Sequence, residues 1–162
     1  DSISLTGGEP LQHIRSLLQL IPLLKPDFKL YLESDGILYQ NLEKVVDQID
    51  LLGMDMKIPS ATGLQAYWEE HKKYLEIAAA RTNVFVKLVL TRDTHLDELD
   101  TALEIIRQID KDILLVLQPV TPYGIVRHPP EPEQVLQWQA RARRVLNQVR
   151  VIPQTHKMIG QI

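Results

Sequence analysis

The amino-acid sequence predicts an α/β fold in which parallel strands alternate with crossover helices. Segments with helical spacing of apolar residues alternate with short apolar runs, five times over, and a last strand closes the chain. Two of those runs, at 84–90 and 113–122, are almost continuously apolar at their centres, as expected of parallel strands covered on both faces. Nearly every run also leaves its carboxyl end into polar residues. Strands separated by long helices must run parallel through right-handed crossovers, which leaves a doubly wound sheet or a barrel. No linker or low-complexity stretch interrupts residues 1–162, so one domain is expected.

The elements follow in order. Ser2 to Leu5 reads as a strand, and Thr6-Gly7-Gly8-Glu9-Pro10 leads from it into a helical pattern of Leu11, Ile14, Leu17, Leu18, Ile21 and Leu24. Pro22 should kink that helix or end it early. Phe28, Leu30 and Leu32 alternate in a second strand that ends at Glu33-Ser34-Asp35-Gly36, and Leu42, Val45, Val46 and Ile49 mark a short helix. A third strand over 49–58 is expected to be interrupted by Gly53 and closed by 59–63. The next helix, about 64–80, should bury Leu64, Tyr67, Trp68, Leu75 and Ala78. After strand 84–90, Thr94 with Asp97 resembles a capping box before Leu96, Leu99, Leu103 and Ile106. Three prolines after strand 113–122 lead into a helix with Val135, Trp138, Ala142, Val145 and Leu146 inward, and a strand begins at Val149.

The bulk numbers exclude several classes. A net charge of −3 gives no electrostatic footprint for nucleic acid, and Arg141, Arg143 and Arg144 read as a solvated helix face. No apolar run approaches the roughly 20 residues of a membrane-spanning helix. Cysteine is absent, so disulfides, thiolate metal sites and a cysteine nucleophile are excluded within these residues. Phosphate-binding glycine loops, Gly-x-Ser-x-Gly and His-Glu-x-x-His are also missing. His13 and His71 lie in helical patterns, where surface or core-edge places are expected. His156 follows the last strand, between Gln154 and Lys157.

In parallel α/β folds the carboxyl ends of the strands carry the ligand site. Those ends hold Thr6-Gly7-Gly8-Glu9, Glu33-Ser34-Asp35-Gly36, Asp55 with Lys57 and Ser60, Thr91-Arg92-Asp93, Gln118 with Thr121, and Gln154 to Lys157. Taken alone, the Gly7-Gly8 stretch has two readings. It is either a punctuating turn or a place where backbone approaches a ligand, since glycine permits both.

Taken together these stretches carry a resemblance. Leu5-Thr-Gly-Gly-Glu-Pro10 resembles the Gly-Gly-Glu-Pro motif of the radical S-adenosylmethionine superfamily. Leu32-Glu-Ser-Asp-Gly36, Met54-Asp-Met-Lys-Ile-Pro-Ser60, Gln118-Pro119 and Val151-Ile-Pro-Gln-Thr-His-Lys157 resemble later stretches of its 7-carboxy-7-deazaguanine synthase family. The resemblance implies a partial parallel (β/α) barrel, here without its first strand. It implies rearrangement of 6-carboxy-5,6,7,8-tetrahydropterin to 7-carboxy-7-deazaguanine, with S-adenosylmethionine, a 4Fe-4S cluster and Mg²⁺. By position, Gly7, Gly8 and Glu9 would seat the methionine ammonium on backbone carbonyls, and Ser34, Lys57 and Ser60 would also serve the cofactor. Glu33, Gln118, Gln154 and His156 would serve the substrate. A flavodoxin or ferredoxin electron donor, a homodimer and a cytoplasmic location are further expectations of the resemblance.

The sequence departs from that family at one point. The superfamily's cluster hangs on a Cys-x-x-x-Cys-x-x-Cys loop upstream of Gly-Gly-Glu-Pro, and no cysteine occurs here. The expectation is therefore a C-terminal part of a longer enzyme, inactive alone, with the cluster ligands and the Mg²⁺ site outside it. Isolated, such a part is expected to aggregate through the Ile3–Leu5 edge. The alternatives are a glycyl-radical-enzyme activase or another enzyme of the superfamily, and a degenerate, non-catalytic binding module.

Overall fold

The computed structural model describes residues 1–121 and 129–154. They form two compact units, one of residues 1–55 and 67–85, the other of residues 56–66 and the described part of 86–162.

In the first unit β1 (Ser2–Leu5), β2 (Lys29–Ser34) and β3 (Leu51–Asp55) lie side by side, all parallel. Leu5 stands opposite Leu32, and Leu32 opposite Leu52. Side chains alternate along a strand, so this register gathers Leu5, Leu30, Leu32, Leu52 and Met54 on one buried face. Helices α1 (Ile14–Leu24) and α4 (Trp68–Arg81) turn Leu17, Ile21, Tyr74, Leu75 and Ala78 inward, and the short α2 (Tyr39–Leu42) packs against α4. Each fully buried Leu or Ile contributes about 1.5–3 kcal/mol. At the amino ends of the strands, Asp50 ties this unit together. Its carboxylate accepts from Lys25 Nζ at 2.6 Å and from the Leu30 N–H at 2.7 Å. Those bonds, the Lys25 one first, hold its pKa below the usual value.

Three expectations change here. Pro22 does not end α1, which continues to Leu24 with the Lys25 N–H still bonded to the Ile21 carbonyl at 2.9 Å. Proline removes only the bond to the Leu18 carbonyl, and Leu18 lies on the exposed side, where that carbonyl is open to solvent. Gly53 continues β3 instead of interrupting it. A Cβ there would come within 2.5 Å of Tyr31 Oη and 2.8 Å of Phe85 Cζ. Those two rings fold over the glycine nearly parallel, at 11° with centroids 6.3 Å apart. Finally, α4 begins at Trp68, not near 64, and Leu64 is exposed. Gly63, at φ +71°, ends the preceding turn, and the buried stripe of α4 is His71, Tyr74, Leu75 and Ala78.

Strand β4 (Asn83–Leu90) begins in the first unit and continues into the second, which also holds the parallel pair β5 (Leu114–Pro119) and β6 (Val149–Val151). Leu115, Val116 and Leu117 are buried in succession, as a strand covered on both faces requires. In β4 only Val86, Leu88 and Leu90 are fully buried, while Phe85, Lys87 and Val89 on the alternate positions are half-buried. Helices α3 (Pro59–Thr62), α5 (Leu96–Ile109) and α6 (Pro132–Ala142) complete the unit. Leu99, Ala102, Leu103 and Ile106 of α5 and Trp138 and Ala142 of α6 are buried. Val145 is exposed beyond the end of α6, against expectation, because the chain has left the helix there. Arg141 pairs with Asp100, and Arg143 and Arg144 are exposed, as a solvated face should be.

Candidate functional site

The Gly7-Gly8 turn follows directly from β1. Its glycines have φ of +97° and +58°, a region other L-residues enter only at a cost. Nothing lies within 4 Å of a Cβ built on either, so backbone conformation, and not crowding, requires glycine. The space beside the turn is open.

Glu9 is committed elsewhere. It is buried, and Pro10 at the first position of the following 3₁₀ turn (Pro10–His13) needs no N–H partner. The Glu9 carboxylate accepts from the Leu11 N–H at 3.0 Å, the Ser34 hydroxyl at 3.1 Å and the Asp35 N–H at 2.7 Å. It therefore ties the end of β1 to the end of β2. Burial raises its pKa, and the nearby Asp35 charge adds to this, while the three hydrogen bonds oppose it. A second tie is the Thr6 hydroxyl, 3.4 Å from Glu33 Oε2. The structure thus brings Gly7, Gly8, Glu9, Glu33 and Ser34 together at adjacent strand ends of the first unit.

Behind them lie two groups from α4. His71 is fully buried, not on a surface or core edge, with Nδ1 3.0 Å from the Gly36 carbonyl. That carbonyl only accepts, so Nδ1 carries the proton. Gly36 has φ +74°, and a Cβ there would meet Met54 at 2.5 Å and His71 Nδ1 at 3.2 Å. Tyr74 is fully buried and its hydroxyl has no hydrogen-bond partner of normal geometry. Burial pushes its phenol well up; the neighbouring Glu9 and Asp35 charges act the same way, and the Ser34 hydroxyl opposes them.

The second unit holds the other sequence candidates. Lys57 is half-buried just before α3. Ser60 lies in α3, and its hydroxyl donates to Glu98 Oε2 at 2.5 Å while accepting from the His95 N–H at 3.0 Å. The Ser60 N–H also donates to Glu98, at 2.9 Å. Ser60 is thus the relay that closes the start of α5. His95 is the N-cap, not Thr94, whose Oγ1 instead accepts from the Thr91 N–H at 2.9 Å. Glu98 occupies the third helical position, where a capping-box acid belongs, and reaches the cap through Ser60. Gln118 is half-buried in β5. Gln154 is buried, and its Oε1 accepts from the Thr121 N–H at 3.0 Å, leaving the donor end of that amide outside this bond. His156 lies outside the described residues.

His71, Tyr74 and Glu98 join these clusters although the sequence pattern did not place them there. For His71 and Tyr74 a signal existed: with Leu75 and Ala78 they occupy positions i, i+3, i+4 and i+7 of one helix face. For Glu98, 38 residues from Ser60, no local pattern exists.

The residues present do not fit an iron–sulfur cluster, since none of the 162 is cysteine. Among the described residues no group of three His, Asp or Glu side chains is placed to hold a metal ion. Nor is any helix among them long and apolar enough to cross a membrane.

Comparison with known proteins agrees with the geometry. No family model matches the chain. It is 43% identical, over all of its residues, to 7-carboxy-7-deazaguanine synthase of Geobacter sulfurreducens, and spans 64% of that protein's length. The protein of the same name from Methanocaldococcus jannaschii is 23% identical over 99% of the chain, which spans 68% of its length. Among solved structures, a radical SAM methyltransferase from Sphaerobacter thermophilus superposes with a TM-score of 0.68 at 14% identity, over 94% of this chain and 50% of that one. An archaeal TYW1 gives 0.62 at 18% identity, over 90% and 50%. These two show the fold, a partial parallel barrel. Along its whole length, then, the chain resembles 7-carboxy-7-deazaguanine synthase, on the fold of the radical S-adenosylmethionine enzymes.

Proposed function

We propose that these residues are the S-adenosylmethionine- and substrate-binding part of an enzyme that rearranges 6-carboxy-5,6,7,8-tetrahydropterin to 7-carboxy-7-deazaguanine. The observation that carries this reading is the 43% identity to a 7-carboxy-7-deazaguanine synthase across every residue of the chain. The Gly7-Gly8 turn supports the cofactor half of the reading. Its positive φ values and open surroundings suit backbone carbonyls that accept hydrogen bonds from the methionine ammonium, strengthened by that group's charge. Glu9 has its side chain fully engaged, so its contribution to such a seat is backbone and rigidity. Ser34 Oγ donates to Glu9 and accepts from the Gly36 N–H, so its proposed part in the cofactor seat includes holding these two residues in place.

Glu33, Gln118, Gln154 and His156 are proposed for the pterin, whose edge of donors and acceptors an amide can match. Lys57 and Ser60 are proposed for the cofactor, and Ser60 has one lone pair beyond its bonds to Glu98 and His95. S-Adenosylmethionine would supply the radical chemistry; the protein residues bind, orient and exclude water. The cluster and Mg²⁺ that such an enzyme uses would be held by residues outside this chain, and a flavodoxin- or ferredoxin-type donor, a homodimer and a cytoplasmic location belong to the same reading.

The test is anaerobic turnover of carboxytetrahydropterin by the full-length protein after cluster reconstitution, read by mass spectrometry. Formation of 7-carboxy-7-deazaguanine is expected. Cleavage of S-adenosylmethionine without that product would point to another radical enzyme, such as a glycyl-radical-enzyme activase. Binding of neither compound in a calorimeter would leave a non-catalytic module.

A further inference from the structure

We propose that His71, from the face of α4, is a positioning residue for the Gly7-Gly8 turn; this rests on the reading of that turn as the S-adenosylmethionine seat. A continuous chain of hydrogen bonds runs inside the first unit. His71 Nδ1–H donates to the Gly36 carbonyl at 3.0 Å, and the Gly36 N–H donates to Ser34 Oγ at 3.3 Å. Ser34 Oγ–H donates to Glu9 Oε1 at 3.1 Å, and Glu9 is the residue that follows the two glycines. Every side chain in the chain is buried: His71 at 0%, Ser34 at 3% and Glu9 at 8% exposure. Buried polar groups of this kind act as a unit, because each orphaned member is costly.

The geometry makes His71 the fixed end. Tyr67 and Trp68 stand edge-on to its ring with centroids 6.4 and 6.3 Å away. They hold the imidazole against Gly36, whose left-handed backbone leaves no room for a Cβ between Met54 and His71. The ring thus sets the height of the Asp35-Gly36 backbone. Asp35 in turn donates its N–H to Glu9 Oε2 at 2.7 Å, so both oxygens of Glu9 are referenced to that backbone. A Cβ built on Gly7 or Gly8 would meet nothing within 4 Å, so no packing on that side holds either residue. Their carbonyl directions are consequently inherited from Glu9, and through it from His71. His71 touches no ligand in this scheme; it acts through three hydrogen bonds.

The test uses the full-length protein and isothermal titration with S-adenosylmethionine, beside thermal unfolding of the same samples. His71→Asn keeps a donor close to the Nδ1 position, whereas His71→Leu removes it; both lose the ring. The expected result is binding within about threefold of wild type for His71→Asn, and at least about tenfold weaker for His71→Leu, with similar falls in Tm. Equal loss of affinity in both variants, following Tm, would show a purely structural role and overturn the proposal. So would unchanged affinity in His71→Leu. If the wild-type protein binds no S-adenosylmethionine at all, the cofactor-seat reading itself fails and takes this proposal with it.

Discussion

Glu9→Gln is the most informative single substitution in the first unit. The glutamate accepts three hydrogen bonds through two oxygens: Leu11 N–H and Ser34 Oγ–H on one, Asp35 N–H on the other. Glutamine has the same shape but only one acceptor atom. Whichever way its amide points, an NH₂ group faces a backbone N–H, at the 2.7 Å now spanned to Asp35 or the 3.0 Å to Leu11. One buried donor is then orphaned, at about 1–3 kcal/mol, while the charge assistance lost from the remaining bonds is offset by the desolvation that the neutral amide avoids, so a total near 1–3 kcal/mol is expected. For a chain of this size each kcal/mol corresponds to roughly 2–4 °C in Tm. Thermal unfolding at pH 7 should therefore show a fall of about 2–12 °C. A protonated glutamic acid differs from glutamine, because its hydroxyl oxygen still accepts and Ser34 can turn to receive the proton. With its folded-state pKa raised above 4.5, Glu9 favours the fold most below pH 4.5, and that contribution fades as pH rises through the folded value. The deficit of Glu9→Gln should thus persist at low pH. A Tm for Glu9→Gln unchanged from wild type, within about 1 °C, at pH 7 would refute the bonding scheme.

Other perturbations probe other parts. Gly53→Val forces side-chain atoms into the 2.5–2.8 Å gap under Tyr31 and Phe85 and should destabilise by about 1–3 kcal/mol in urea titration; an unchanged midpoint would mean those rings do not close over β3. Asp50→Asn should flatten the acid limb of stability. The lowered pKa of Asp50 means its contribution is present above pH 3.8 and lost as pH falls through the folded value, so wild type and variant should converge at low pH. Tyr74→Phe removes a buried hydroxyl without a hydrogen-bond partner and should leave stability unchanged or raise it by up to about 1 kcal/mol. A loss of stability would reveal a partner for the hydroxyl.

What the sequence determined by itself is the alternation of strands and helices, the glycine turn after β1 and the places of the polar exits. These are local matters: period-2 and period-3.6 patterns and the φ freedom of Gly7, Gly8 and Gly63 are written in neighbouring residues. Which polar side chains bond one another across the fold was decided only in three dimensions. Along the chain the backbone of Glu9 and the side chain of Ser34 are expected to serve the cofactor, and nothing in the sequence shows that their side chains also bond each other across 25 residues. Ser60 closes a helix start 35 residues away, which moved the cap from Thr94 to His95. His71 became a buried donor because Gly36 leaves its carbonyl facing α4. A hydrogen-bond partner distant in sequence leaves no periodic trace, so only the packed fold could reveal how the Gly7-Gly8 turn is held.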